Sequence, residues 1–561
     1  MKKIYFVLLS IVFFLSLSCL VSANVPENNR MKFGEISSIL PETDMREYYA
    51  EMEPIMLKYF GPPFSDFTLN VEASLDPQHD FGIFPENHNA VMVSQAIIYA
   101  NRNNSSDPGN AIRNIQGFMK HEFSHAMYVY DYKSADFGAK WPGEGWAKVL
   151  EELMDNEIDN ISHSARFSYE SYLDKETVAG EEAGGQKQST NHGLIYSMTA
   201  STHLLLFSAA SSSNENLDFY KKMNNAKYDL IKSKNDAHIT LDEYKNLMKP
   251  LLAGIKIDGV DAYQWYFNSP LFYKNENMGS HIGVYLSSED SNLEPKWIQV
   301  FAFNRVQEGN SKKEQPLEGI NIDLKLTDSQ GNLVLEKNLI TDKDGNSMFE
   351  LRDKPEIMNS LEAGAYFLNV EATINNEVVK NKIFAFVPPK IEVKKEYIYG
   401  VLLDENNNIL DGKYVSLLTA DSDFIYKKNG FFMINVPDDK RVVNLEFLGL
   451  KQEVTKGPFA RVYAFKIPNS YIESAKSKSD EELNKGIIDN TKNFIGGYCG
   501  DHTCDENERK NPENCPRDCS VTTTQNYENR QPLSGGEDIN RPEKISFFTR
   551  IKNWFLNLFR R

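Results

Sequence analysis

The sequence predicts a multidomain α+β chain with a mainly helical domain, two β-sandwich domains after it and a small Cys-rich module. Three observations carry that prediction. From Glu42 to about Phe267 the apolar residues recur at helical spacing. After about Asn277 they alternate at period two, between turns rich in Gly and Asp. Four of the five cysteines, Cys499, Cys504, Cys515 and Cys519, fall within one short segment. A chain of 561 residues, at roughly 100–200 per domain, has room for that many folded units.

Composition sets further bounds. Hydrophobic residues at 41% and charged residues at 25% describe a globular chain rather than a disordered one. A formal charge of −18, from 61 Lys and Arg against 79 Asp and Glu, argues against a nucleic-acid partner, since neutralising phosphates needs clustered cations.

The first residues set the compartment. Lys2 and Lys3 precede an apolar run from Ile4 to Val21, which ends at Val21-Ser22-Ala23. A basic start, an apolar stretch and a small-residue cleavage site read as a signal peptide over residues 1–23. An uncleaved anchor is the alternative, because the run is near the lower limit for a spanning helix. Cys19 adds lipidation as a third option, although Ser16 stands where a lipobox has Leu. The chain is expected to be secreted or held at the cell surface.

The helical domain is expected over residues 30–275. Met45 to Tyr59 reads as a helix closed by Gly61-Pro62-Pro63, and helical stretches follow around 108–130, 143–157, 193–212, 216–233 and 241–252. Two short strands interrupt them, at Phe67–Ala73 and at Ala90-Val-Met-Val. An Ig-like β-sandwich is expected over 278–388. There Ile320, Ile322, Leu324 and Leu326 alternate with polar residues ahead of a turn at Asp328–Gly331, and Tyr366, Leu368, Val370 and Ala372 repeat the pattern. Pro388-Pro389 marks a boundary to a second sandwich over 389–468, which resembles carboxypeptidase-regulatory-like domains. Neither unit shows a catalytic pattern.

The remainder divides into a Lys-, Ser- and Asn-rich linker at 469–497, the Cys-rich module at 498–520, a polar disordered linker at 521–543 and a basic amphipathic helix at 544–561. Four thiolates could form a closed zinc site. In an extracellular chain, an even, clustered set is more often two disulfides, and a segment this small needs such staples to fold. Cys499-Gly-Asp-His-Thr-Cys504 and Cys515-Pro-Arg-Asp-Cys519 resemble modules found on secreted microbial proteins. In the last helix, Phe547, Phe548, Ile551, Trp554, Phe555, Leu558 and Phe559 share one face, with Arg550, Lys552, Arg560 and Arg561 elsewhere. That arrangement suits a membrane–water interface, and docking on the protein's own body is the alternative.

His121-Glu122-Phe123-Ser124-His125 carries the chemistry. On a helix, positions i and i+4 share a face, so both imidazoles can hold one zinc ion while Glu122 polarises a water. With 10 His in the chain, roughly 0.01 such matches arise by chance. Asp131 and Asp136 follow closely, but the candidate for third ligand is Glu144, in Trp141-Pro-Gly-Glu-Gly-Trp-Ala147. Pro142 and Gly143 start a new helix and place Glu144 in its first turn. A catalytic zinc takes three protein ligands and keeps one open position, which His121, His125 and Glu144 would supply. Glu151, two turns further along that face, can orient a ligand imidazole, and Lys148 lies between them.

HExxH-x18-E with a WxxEGxA second motif resembles the gluzincin peptidases of the membrane alanyl aminopeptidase family, over about residues 40–260. The resemblance implies a thermolysin-like catalytic domain and a zinc-dependent peptidase acting on peptides or proteins. It assigns to Tyr196, in Ile195-Tyr-Ser-Met-Thr199, the stabilisation of the oxyanion, with Tyr169 and Tyr172 in reserve. It assigns to Glu86, in Ile83-Phe-Pro-Glu-Asn87, the grip on a substrate's free amine. An endopeptidase with the same core, or a catalytically degenerate surface-binding protein, are the alternatives.

Overall fold

The computed structural model describes residues 31–33, 42–61, 69–74, 81–83, 90–94, 120, 141–158, 176–180, 193–211, 218–234, 239–272, 277–288, 295–308, 311–351, 354, 357, 361–389, 397–410, 412–458, 460–478 and 485–489. The signal segment, the 108–119 and 121–130 parts of one expected helix, the cysteines and the C-terminal helix lie outside them.

The N-terminal region combines helices with a small sheet. Strands β1 (Met31–Phe33), β2 (Leu69–Ser74), β3 (Phe81–Ile83) and β4 (Ala90–Ser94) form a sheet in the order β1-β2-β4-β3. Its β1–β2 and β2–β4 pairs are parallel, and β3 runs antiparallel to β4. Helices α1 (Glu42–Phe60), α2 (Trp141–Ile158), α3 (Gly193–Ser211), α4 (Phe219–Lys234) and α5 (Leu241–Leu251) gather around a core that includes Met52, Trp146, Leu150, Leu205, Tyr220 and Met248. Helix α5 shows how locally its start is written. Thr240 accepts from the Glu243 amide, and Glu243 reaches back to the Thr240 amide, which closes a capping box.

A two-stranded hairpin, β5 (Lys256–Ile257) and β6 (Val260–Asp261), precedes the short helix α6 (Ala262–Phe267). Asp258 at its tip adopts φ 54, a left-handed conformation that Asp tolerates better than most residues.

Beyond residue 277 the described chain is almost entirely strand. β7 (Gly279–Ser288), β8 (Pro295–Glu308) and β9 (Ser311–Pro316) pair antiparallel in sequence, and β12 (Asn346–Glu350) joins β8 on the side away from β7, next to β9. A second sheet runs β11-β10-β13-β14, from β10 (Asn321–Asp328), β11 (Leu333–Ile340), β13 (Gly364–Ile374) and β14 (Glu377–Val387). Ile322, Leu324 and Leu326 are buried while their neighbours Asn321, Asp323 and Lys325 face solvent, as strand pleating requires.

A further sheet orders β21-β15-β18-β17-β22, from β15 (Tyr397–Asp404), β17 (Asp423–Lys428), β18 (Phe431–Asn435), β21 (Arg461–Ile467) and β22 (Ile488–Asp489). Its companion is β16-β19-β20, from β16 (Leu418–Ala420), β19 (Val442–Phe447) and β20 (Leu450–Thr455). The short helix α7 (Gly412–Ser416) precedes β16, and α8 (Asn469–Lys476) follows β21.

This architecture corrects the expected fold class. The sequence pattern led to a chain opened by a mainly helical, thermolysin-like gluzincin domain. Among the described residues strand exceeds helix, 43% against 34%, the sheets are several and small, and no mainly helical domain stands out. The physical reason lies in signal length. Helices of 16 to 19 residues announce themselves through many turns of periodicity and dominate the reading, whereas β1 and β3, of 3 residues each, carry too few alternations to register.

Candidate functional site

Of the residues singled out by sequence, His121, Glu122, His125, Glu86 and the four cysteines lie outside the described residues, as do Tyr169, Tyr172, Asp131 and Asp136. Lys120, immediately before His121, is helical and buried. Glu144 lies in the first turn of α2 and Tyr196 in the first turn of α3, both placed here by their backbone. Among the described residues, no group of three His, Cys, Asp or Glu side chains stands close enough to hold a metal ion.

The two helices that carry Glu144 and Tyr196 pack against each other, and α3 is the principal helical neighbour of α2. The two helices meet tightly at Gly145, the residue after Glu144. A Cβ placed there would lie 2.1 Å from Nδ1 of His203 on α3, so only glycine lets the two helices meet. Trp146 then sets its ring edge-on to His203, at 4.4 Å between centroids, and edge-on to Tyr220 at 4.6 Å.

Glu151 is buried on α2 and receives the Lys148 ammonium at 2.6 Å, an i,i+3 pair on one helix face. Lys148 is therefore engaged with the carboxylate that sequence reading had assigned to orienting an imidazole.

A polar chain that sequence reading missed starts at Trp146 of α2 and ends at His203 of α3. Burial is the main cause that lowers His203 to a pKa of about 3, so its ring is neutral at ordinary pH. The Thr199 carbonyl can only accept, so Nδ1–H donates to it, at 2.7 Å. Nε2 is then the acceptor, and Tyr266 donates its hydroxyl proton to it, also at 2.7 Å. Tyr244 donates in turn to the Tyr266 oxygen at 3.2 Å, and the Trp146 indole N–H donates to the Tyr244 oxygen at 3.0 Å. Every direction follows from the one before it. The sequence hint was a lone histidine in the otherwise uncharged stretch Met198–Phe207, but Tyr266 lies 63 residues from it and Tyr244 lies 98 residues from Trp146.

No family model matches the sequence, and no curated protein matches it. Among solved structures the chain has a distant likeness to aminopeptidase A of Legionella pneumophila, a complex with aspartic acid. That likeness has 13% identity and a TM-score of 0.27, and covers 57% of this chain and 33% of the other. A Bifidobacterium dentium β-glucuronidase, complexed with coumarin-3-O-glucuronide, shares 8% identity over 23% of this chain and 22% of its own, with a TM-score of 0.14. The chain spans about a third of the aminopeptidase's length, and likenesses this distant carry no argument about fold or activity.

Proposed function

We propose that the protein is a zinc-dependent peptidase, aminopeptidase-like in its handling of the substrate. The observation that carries the reading is the pairing of His121-Glu-Phe-Ser-His125 with Glu144, with eighteen residues between His125 and Glu144, which stands in the first turn of its own helix. Two imidazoles and one carboxylate are the donor set that a catalytic zinc takes, with a position left for water. Zinc, when bound, supplies the Lewis acidity that lets water attack a carbonyl at neutral pH.

The protein's own residues do the rest. Glu122 accepts the proton of the attacking water and returns it to the departing amine. Tyr196 donates a hydrogen bond to the oxyanion, and Glu86 holds the free amine of the substrate. The packing of α2 on α3, which brings the Glu144 and Tyr196 helices together, supports this assignment. The basic-then-apolar start of the chain supports export, and the apolar stripe at 544–561 supports contact with a membrane surface. Peptides or proteins outside the cell are then the substrates.

The test is a pair of variants of the full-length protein. Glu122→Gln should retain about one zinc per chain and lose hydrolysis by at least about a hundredfold, the scale of general-base catalysis. Glu144→Ala should lose most of its zinc. Parental turnover of a peptide library by the Glu122→Gln protein would refute the assignment. Cleavage of free-amine peptides with sparing of blocked ones would mark an exopeptidase.

A further inference from the structure

The first turn of helix α2 holds the one carboxylate that the proposed metal site draws from it, and Pro142 restrains the start of that turn but not the residues on either side of Glu144. Gly143 and Gly145 flank Glu144, and glycine is the residue that restrains a backbone least. A ligand on such a turn needs its position imposed from outside.

The polar chain beneath α2 does this. It starts on α2 at the Trp146 indole, passes through Tyr244 of α5 and Tyr266 of α6, and ends at His203 of α3. The His203 ring returns to the same helix, where it lies against Gly145. Two successive residues of α2 are thus gripped at both ends of one hydrogen-bonded path. Trp146, Tyr244, Tyr266 and His203 are all fully buried, and each of the four has the one proton or lone pair that the next requires. Such a path has a single set of donor directions and resists rearrangement.

We propose that His203, held by Tyr266 and Tyr244, is a positioning residue that sets the Glu144 turn for metal binding. The inference rests on Glu144 being a metal ligand, and the experiment separates the two ideas. In the full-length protein, zinc affinity is measured by competition with a chelator, beside circular dichroism and the visible bands of the Co(II)-loaded form. Tyr266→Phe removes one oxygen and keeps the ring. It should fold, weaken zinc about tenfold, the lower end of what outer partners of metal ligands contribute, and shift the Co(II) bands. Gly145→Ala, which drives a Cβ against the His203 ring, should weaken zinc as well.

A folded Tyr266→Phe protein with parental zinc affinity and parental Co(II) bands overturns the positioning role, even if it melts at a lower temperature. If Tyr266→Phe does not fold, Tyr244→Phe, one link further along, is read by the same two outcomes. Glu144→Ala is the reference. If it binds zinc as the parent does, the metal site itself is wrong and the positioning role falls with it.

Discussion

His203 is a base kept neutral by its surroundings, and that has a consequence for stability. Its folded pKa of about 3 lies below the ordinary value of 6.5, so between those values the unfolded chain binds a proton that the folded one refuses. Stability from this residue is fully present above about pH 6.5 and is lost as pH falls toward 3, by at most about 5 kcal/mol. A His203→Phe protein should be less stable than the parent near neutrality, because it strands the Tyr266 hydroxyl and the Thr199 carbonyl. The gap should narrow as the solution is acidified. Urea midpoints measured across that pH range check it, and two parallel curves would contradict it. At this scale the sequence was legible where chemistry is local. Glu144 does sit in a first helical turn, as Pro142 and Gly143 imply. The chain from Trp146 to His203 was illegible, because Tyr244 is 98 residues from Trp146 and nothing near either residue announces the other.

At the scale of elements, long helices were the most readable part of the chain. The periodic stretches read at 143–157, 193–212, 216–233 and 241–252 correspond to α2, α3, α4 and α5 with ends displaced by three residues at most. The alternation of Ile322, Leu324 and Leu326 likewise places their side chains inward on β10. The balance of strand over helix was not readable, because short strands are defined by partners rather than by their own residues. The β5–β6 hairpin shows what such a reading leaves out. Arg461 on β21 is fully buried and grips both carboxylate oxygens of Asp258, at 2.6 Å each. The Thr455 amide donates to the same carboxylate at 2.9 Å, and the Asp258 amide donates to the Thr455 hydroxyl at 2.9 Å. Asp258→Ala leaves a buried guanidinium without its counter-charge and should destabilise the protein by about 3–5 kcal/mol. Asp258→Ala combined with Arg461→Met removes both charges and should recover most of that loss. Denaturant unfolding of the single and double variants measures both effects, and equal losses in the two would show that the pairing is not what matters.

At the scale of the whole molecule, the sheets beyond residue 277 are bound into the helical region rather than strung behind it. One buried apolar cluster runs without interruption from Tyr49 and Met52 of α1 to Ala460 and Val462 at β21. Polar contacts reinforce it at a second junction. The helical turn at 176–180 lies against the β7 edge, where the Thr177 hydroxyl donates to the Val284 carbonyl and accepts from the Val284 amide. Glu176 there faces His281 at 3.2 Å and Arg305 at 3.5 Å, and Arg305 is itself buried. A sheet edge is thereby covered instead of being left to pair with other chains. The expected boundary near residue 277 is therefore crossed by buried apolar packing. A fragment ending at residue 276 would expose the surfaces that Phe301, Val300 and Ile282 cover. It should be insoluble or lack a cooperative melt, while the full-length protein should unfold through one dominant calorimetric transition spanning residues 42–489. Two well-separated transitions in the full-length protein, with a soluble and cooperatively folded 1–276 fragment, would show that the helical region stands alone. Its proposed metal site would then owe nothing to the sheets that follow it.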